Sequence, residues 1–304
     1  SREFKLAKPS DSSNPSSGWV TYFRQQEAAI DQALGSNSYI ARTGIFTGGL
    51  NAVFWVDITK SDDSLCTITN ITERAKNSVR KVVADIEKDY LYPLVAGRDV
   101  SIWSYEYSKY IILPHTCFTK MHPIDHQALS MVPNTQSYLK SFQVELEGRK
   151  GFTSMDKHIK DQFYYALQRI GQYTFSPYKV GWKYICKEFT PFVFGYVEDQ
   201  YLGKKLLMPN EKIIYVGLSS KAEAYYLCGL LSSNHYKRAI EGYMVGTQIT
   251  PSILKRLSIA KYNPSIEQHQ IISDLCCIGH QQKYKHNVAE ILAEINNIVE
   301  LVAA

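Results

Sequence analysis

Between residues 79 and 90 the apolar side chains Val79, Val82, Val83, Ile86 and Tyr90 recur at intervals of three and four, the spacing of one helix face. That spacing predicts a helix ending before Pro93. The same periodicity marks Tyr138, Leu139, Phe142 and Leu146 after Pro133 and Asn134, a second helix with its start signal in place. Segment 22–34 also has helical composition. Residues 38–58 alternate β-branched and aromatic side chains around a glycine turn, predicting strand, tight loop, strand. YIILP (110–114), FVFGYV (192–197) and KIIYVGL (212–218) read as further strands.

Ser220 and Glu223 have capping-box spacing before a helix through Tyr226 and Leu230, and Thr250 with Pro251 predicts an N-cap followed by a first-turn proline. Ser265 and Gln268 are spaced to cap a long C-terminal helix, along which Val288, Ile291, Leu292, Ile295, Ile298, Val299 and Val302 form an apolar seam. Such a seam needs a partner: the chain's own 22–34 helix, the missing remainder of the polypeptide, or a second copy. No internal repeat with a period of roughly 20 to 50 residues is present. The pattern predicts a mixed α/β (α+β) fold, with a mixed sheet, flanking helices and a long C-terminal helix. Residues 1–30 are expected to form a linker and connecting helix, 31–260 the main domain, and 261–304 a helical docking segment.

With 304 residues, 45% of them hydrophobic and 21% charged, the chain can bury a sizeable core, which excludes disorder as its default state. A net charge of +5 permits a polyanionic partner without requiring one. No run reaches the roughly 18 apolar residues of a membrane span, and the opening SREFKLAKPS lacks the apolar centre of a signal peptide. A cytoplasmic protein is therefore expected, with no membrane partner. Cys66, Cys117, Cys186, Cys228, Cys276 and Cys277 include no C-x-x-C pair, which argues against a zinc ribbon and against a disulfide framework. The connector-like PSDSSNPSSG (9–18) and the absence of an initiator Met predict a piece of a longer chain.

Reactive groups are sparse. His115 and Cys117 share one side of a strand end simply because strands have a period of two. A packed histidine and thiol is the simpler reading, and a small-molecule site built from His115, Cys117 and Asp125 the more elaborate one. His122 and His126 stand four apart, but Pro123 interrupts any helix that would align them as metal ligands. GIFTGGLN (44–51) has neither the Lys-Ser/Thr of a phosphate loop nor G-x-G-x-x-G spacing. No catalytic residue and no metal ligand is nominated.

Eight segments carry a joint signal: TGIFTGGLNAVFWV (43–56), LYPLVAGRDVSIW (91–103), YIILPH (110–115), YLKSFQVELEGRK (138–150), YTFSPYKVGWKYI (173–185), AYYLCGLLSS (224–233), VGTQITPSILKRLSI (245–259) and NPSIEQHQII (263–272). In this order they resemble the C-terminal specificity region of Taq-type and Eco57-type adenine-N6 DNA methyltransferases, including fused restriction-modification enzymes. The last two also resemble the specificity subunits of type I restriction enzymes, an alternative within the same function. The resemblance implies a target-recognition domain for double-stranded DNA in bacterial defence, working with the parent's own methyltransferase domain or subunit. The catalytic half is where the chain departs from it. Methyl transfer to adenine needs a glycine-rich cofactor turn and an N-P-P-Y or D-P-P-Y turn, whereas NPSS (14–17) and NPSI (263–266) lack the second proline and the aromatic. The chain is therefore expected to bind without catalysing. It should hold no cofactor, with S-adenosylmethionine bound by the missing catalytic region. A protein-interaction scaffold is the alternative of another class, motivated by the apolar seam and the modest charge.

By the resemblance, Arg42 beside the TGIFTGG loop, Thr47 within it and Arg98 in the GRD turn face nucleic acid, and guanidinium forks suit phosphate or guanine. On their own residue types, Tyr178, Lys179, Trp182 and Lys183 interleave aromatic and cationic side chains, as a strand touching the DNA backbone would. Thr247 and Gln248 precede a short helix carrying Lys255 and Arg256; the glutamine is suited to reading adenine or to tying the loop to that helix. Sequence choice is expected in loops 115–135, 150–172 or 198–210, foremost in 150–172, where Lys157 and Lys160 add charge.

Overall fold

The structure is a computed structural model that describes residues 5–9, 13–73, 75–150, 154–244, 247–282 and 285–303. A hairpin of β1 (Leu6–Pro9) and β2 (Trp19–Tyr22) leads to α1 (Glu27–Ala33) and β3 (Ala41–Thr43). Next come α2 (Asn51–Phe54), β4 (Trp55–Ser61), β5 (Leu65–Asn70), β6 (Val83–Glu87), β7 (Leu91–Val95), the small hairpin β8 (Val100–Ser101) and β9 (Ser104–Tyr105), and β10 (Lys109–Ile112). Four short helices follow: α3 (His126–Ser130), α4 (Pro133–Lys140), α5 (Gln143–Glu147) and α6 (Ser154–Gln162). The chain then forms β11 (Tyr178–Lys183), β12 (Phe192–Asp199), β13 (Gly203–Leu206), β14 (Met208–Pro209) and β15 (Ile213–Leu218). Last are α7 (Lys221–Ser232), α8 (Asn234–Gly242), α9 (Glu267–His280) and α10 (Lys285–Ala303).

Two sheets organise these elements. The six-stranded sheet has the order β14-β7-β10-β4-β5-β6 and is mixed, because β14 runs parallel to β7 with Met208 beside Leu94. The five-stranded sheet, β13-β12-β11-β15-β3, is antiparallel throughout. Ile68, Ile86 and Ile111 of the first sheet pack against Leu139, Phe142 and Leu146. Val180, Trp182, Ile214 and Val216 of the second pack against α7 to α10. The opposite face of that sheet offers Phe192, Phe194, Ile213 and Tyr215 to Val95 and Leu207, a smaller core that joins the two sheets. Val20 and Ile30 near one terminus, and Ile272, Cys276 and Ile295 near the other, lie in the core beneath the five-stranded sheet. Among the described residues no helix is long and apolar enough to cross a membrane.

Four expected elements differ, the first being the helix through Tyr138 and Leu146, which a turn at 141–142 divides into α4 and α5. Residues 79–90 hold strand β6 and no helix. Val82, Ala84 and Ile86 turn inward while Val83, 66% exposed, and Asp85 face out, so a period of two governs. Antiparallel pairing with β5 and the Asn70 side chain, which accepts from the Val82 N–H and donates to the Arg80 carbonyl, hold the segment extended. Pro93, expected to lie beyond that helix, sits within β7. Between β3 and β4 the glycine turn takes left-handed φ at Gly48 (71°) and Gly49 (87°), and the unpredicted helical turn α2 follows it. At the C-terminus, α9 and α10 stand where one long helix is expected, and α9 starts without a side-chain cap from Ser265. The seam of α10 buries Ile295 and Val299 against α7, α8 and α9; the side chain of Val302 lies outside the described residues. Ser220 does cap α7, accepting from the Glu223 N–H at 3.3 Å, but the Glu223 carboxylate accepts instead from the Tyr39 hydroxyl.

Candidate nucleic-acid interface

Three nominated residues lie in the interior. Lys179 is fully buried; its ammonium donates to the Ser176 carbonyl at 2.8 Å and sits 5.6 Å from the Phe194 ring centre. Burial draws its pKa down from 10.5 to about 7. Trp182 faces the other side of β11 and packs edge-on to Phe189. Thr47 donates its hydroxyl to Asn51, and its carbonyl accepts from Arg149 Nη1 at 2.9 Å. The cation and aromatic interleaving of β11 thus comes from the alternation of a core strand, and only its end residues, Tyr178 and Lys183, are partly exposed.

Lys183 emerges into a cleft of about 1050 Å³ lined by both sheets. Arg98 enters it from the Gly97–Asp99 turn, which is closed by the Asp99 carboxylate accepting from the Ala96 N–H, and its side chain is 60% exposed. Lys109 enters from the start of β10, stacked over Trp55 at 5.8 Å. Burial and then the nearby Arg98 draw the Lys109 pKa below its ordinary value, with Asp57 opposing them. Among the described lining residues Lys76 and Lys212 complete five cations against two carboxylates, Asp57 and Glu73; Glu73 is already paired with Lys81 at 3.0 Å, and Arg98 with Asp99 beside the cleft at 3.4 Å. Trp55 and Ile185 give the cleft an apolar floor, and Asn51 and Asn210 add amide groups. This arrangement suits a polyanion with exposed apolar edges.

Thr247 and Gln248 flank that cleft. Residues 247–249 pair with 184–186: the Cys186 N–H donates to the Thr247 carbonyl, the Ile249 N–H to the Tyr184 carbonyl, and the Tyr184 hydroxyl to Gln248. Both side chains are exposed. The other nominated residues stand apart from the cleft. Lys255 is exposed on the Pro251–Arg256 turn, which is pinned to the chain around Gly35. On α6, Lys157 is exposed, while Lys160 donates to the Glu147 carbonyl at 2.8 Å. Arg42 is exposed on the edge strand β3, its guanidinium 5.0 Å from the Tyr173 ring centre.

The loops expected to carry sequence choice are ordered differently from one another. In 115–135, reciprocal hydrogen bonds between Thr116 and Thr119 fix a tight turn whose tip, Phe118, is 89% exposed. His115 beneath it is fully buried and accepts from the Leu167 N–H, and burial holds its pKa at about 3. It is a packed neutral ring. In 198–210 the β12–β13 hairpin is closed by Asp199, which accepts from the Tyr201 and Leu202 N–H groups. Residues 151–153 of the third loop lie outside the described residues. His126 packs on Phe163 and Tyr165.

Sequence reasoning missed Lys76, Lys109 and Lys212 in the cleft. It also missed Arg149, a buried clamp donating to the carbonyls of Leu146, Thr47 and Tyr164. Lys212 reaches the site because the β11–β15 register sets Lys183 opposite Ile213, and no local pattern announces that pairing. A Cys228–Cys276–His280 group has its ligand atoms within 4.8 Å of one another. It does not fit a metal. His280 Nε2 accepts from the Val193 N–H, so Nδ1 carries the proton and donates to the Cys276 carbonyl, leaving no free lone pair.

No protein-family profile and no curated protein matches the chain. Among solved structures, the type IIL restriction-modification enzyme MmeI in complex with DNA is similar to it, with a TM-score of 0.50 at 11% identity over 88% of this chain and 33% of that one. The type IIG restriction endonuclease BpuSI gives a TM-score of 0.41 at 12% identity, over 94% of this chain and 36% of that one. At such identity the likeness to MmeI is one of fold. The chain spans about a third of the length of either enzyme.

Proposed function

We propose that the chain is the target-recognition part of a restriction-modification enzyme of the adenine-N6 methyltransferase kind, holding double-stranded DNA in its cationic cleft. The observation that carries this reading is the convergence of Lys76, Arg98, Lys109, Lys183 and Lys212, from separate elements, on one cleft whose described lining holds two carboxylates. The fold shared with part of a restriction-modification enzyme solved with DNA supports it. So does the ordered sequence resemblance. In this reading the cations fix the register on phosphates, and Gln248 beside the cleft reads base edges. The chemistry belongs to an S-adenosylmethionine-dependent domain or subunit of the parent protein, against which this chain holds the duplex.

The test is duplex binding by the 304-residue chain across a salt series. Four or five phosphate contacts give a slope of log affinity against log salt of about −4, and Lys109→Glu or Lys183→Glu each reduce it by about 1 on every DNA sequence. A flat salt response overturns the proposal. Methylome sequencing of cells carrying the full-length gene tests the adenine assignment, which fails if the modified base is cytosine.

A further inference from the structure

Arg169 has a left-handed backbone, φ 62°, one of three such non-glycine residues among those described. For an L residue this conformation is strained, and it persists only where neighbours over-determine it. They do so here. Gln168 exchanges two backbone hydrogen bonds with Phe46, the Leu167 N–H is held by His115, and Ile170 is buried. Trp103, strained in the same way, is buried, whereas the Lys120 and Arg169 side chains are exposed, and of these two only Arg169 lies over an aromatic ring among the described contacts. The Arg169 guanidinium lies over the Phe46 ring at 5.0 Å.

Arg42 repeats the arrangement, stacked at 5.0 Å over Tyr173. Phe46, four residues after Arg42, bridges to Gln168 beside Arg169, and Tyr173 beneath Arg42 lies four residues after Arg169, so the two cations share a neighbourhood. Among the described residues neither arginine forms an ion pair. A guanidinium held over an aromatic ring by its carbon still has N–H groups to offer, and its fork matches a phosphate. The segment running from Arg42 past Phe46 ends at Asn51, in the cleft wall.

We infer that Arg42 and Arg169 form a second phosphate-contacting site, preorganised on Tyr173 and Phe46, that grips the DNA backbone beyond the cleft. This rests on the DNA reading proposed above. Glycine adopts φ near 60° without strain, so Arg169→Gly separates the two roles the residue can have. A DNA contact held at the expense of strain predicts a thermal midpoint equal to or above that of the parent chain, with the salt slope reduced by about 0.9. Arg42→Gln, on an ordinary strand backbone, should lower the slope by a similar amount, and the double variant by about 1.8. A lowered midpoint with an unchanged slope for Arg169→Gly, or an unchanged slope for Arg42→Gln, overturns the inference and leaves the cleft reading intact. If the unsubstituted chain shows no salt-dependent binding, the DNA reading falls and this inference with it.

Discussion

Lys179→Met tests whether this lysine belongs to the core or to a DNA surface. The native amine protonates only below about 7, whereas in the unfolded chain it protonates below 10.5. Between those values the unfolded state binds one more proton, so stability rises with pH by about 1.4 kcal/mol per unit across that window. At pH 7 the penalty of burying the charge is on the order of 4 kcal/mol, and by pH 9 it falls to about 2 kcal/mol. Methionine has similar length and suits the contact with Phe194, but it leaves the Ser176 carbonyl without its donor, a loss of about 1–2 kcal/mol. The variant should therefore be more stable than the parent by about 2–3 kcal/mol at pH 7 and roughly equal to it at pH 9. Urea midpoints of both proteins at the two pH values measure this, and other titrating groups cancel in the difference. Parallel pH profiles would refute the reasoning, as would loss of DNA affinity in a folded Lys179→Met protein.

Two further substitutions probe the supports of the site. Gly279→Ala would set a Cβ 2.1 Å from the Cζ3 atom of Trp103, which is buried, stacked on His280 and bonded to Ser232. A loss of about 3 kcal/mol is expected, seen as a fall of several degrees in Tm with a changed near-UV tryptophan signal; an unchanged Tm counts against that packing. Arg149→Met strips three carbonyls of their charged donor, costing about 3–5 kcal/mol. Hydrogen exchange should then quicken together in residues 44–50 and 163–168, and unaltered protection in either stretch would refute the clamp.

The sequence by itself determined elements whose cause is local. Strands β10, β12 and β15, helix α4 behind Pro133, and the Ser220 cap of α7 all follow from alternation, a proline or a hydroxyl that acts over a few residues. Both Asn-Pro motifs are ordinary turns, with the Asn14 and Asn263 side chains accepting from Ser16 and Ser265. Tertiary structure decided the rest. Residues 79–90 satisfy a helical spacing as well as a strand alternation, and pairing with β5 selects the strand. Lys179 and Lys183 are alike in sequence, yet one sits mid-strand beneath Phe194 and the other at a strand end. Arg98 and Lys183 were legible as candidates, but the cleft they share with Lys109 and Lys212 arises only when two sheets meet, which joins residues more than a hundred positions apart. Charge sign and residue type are carried by the chain; which charges converge is fixed by strand register and by the small core between the sheets.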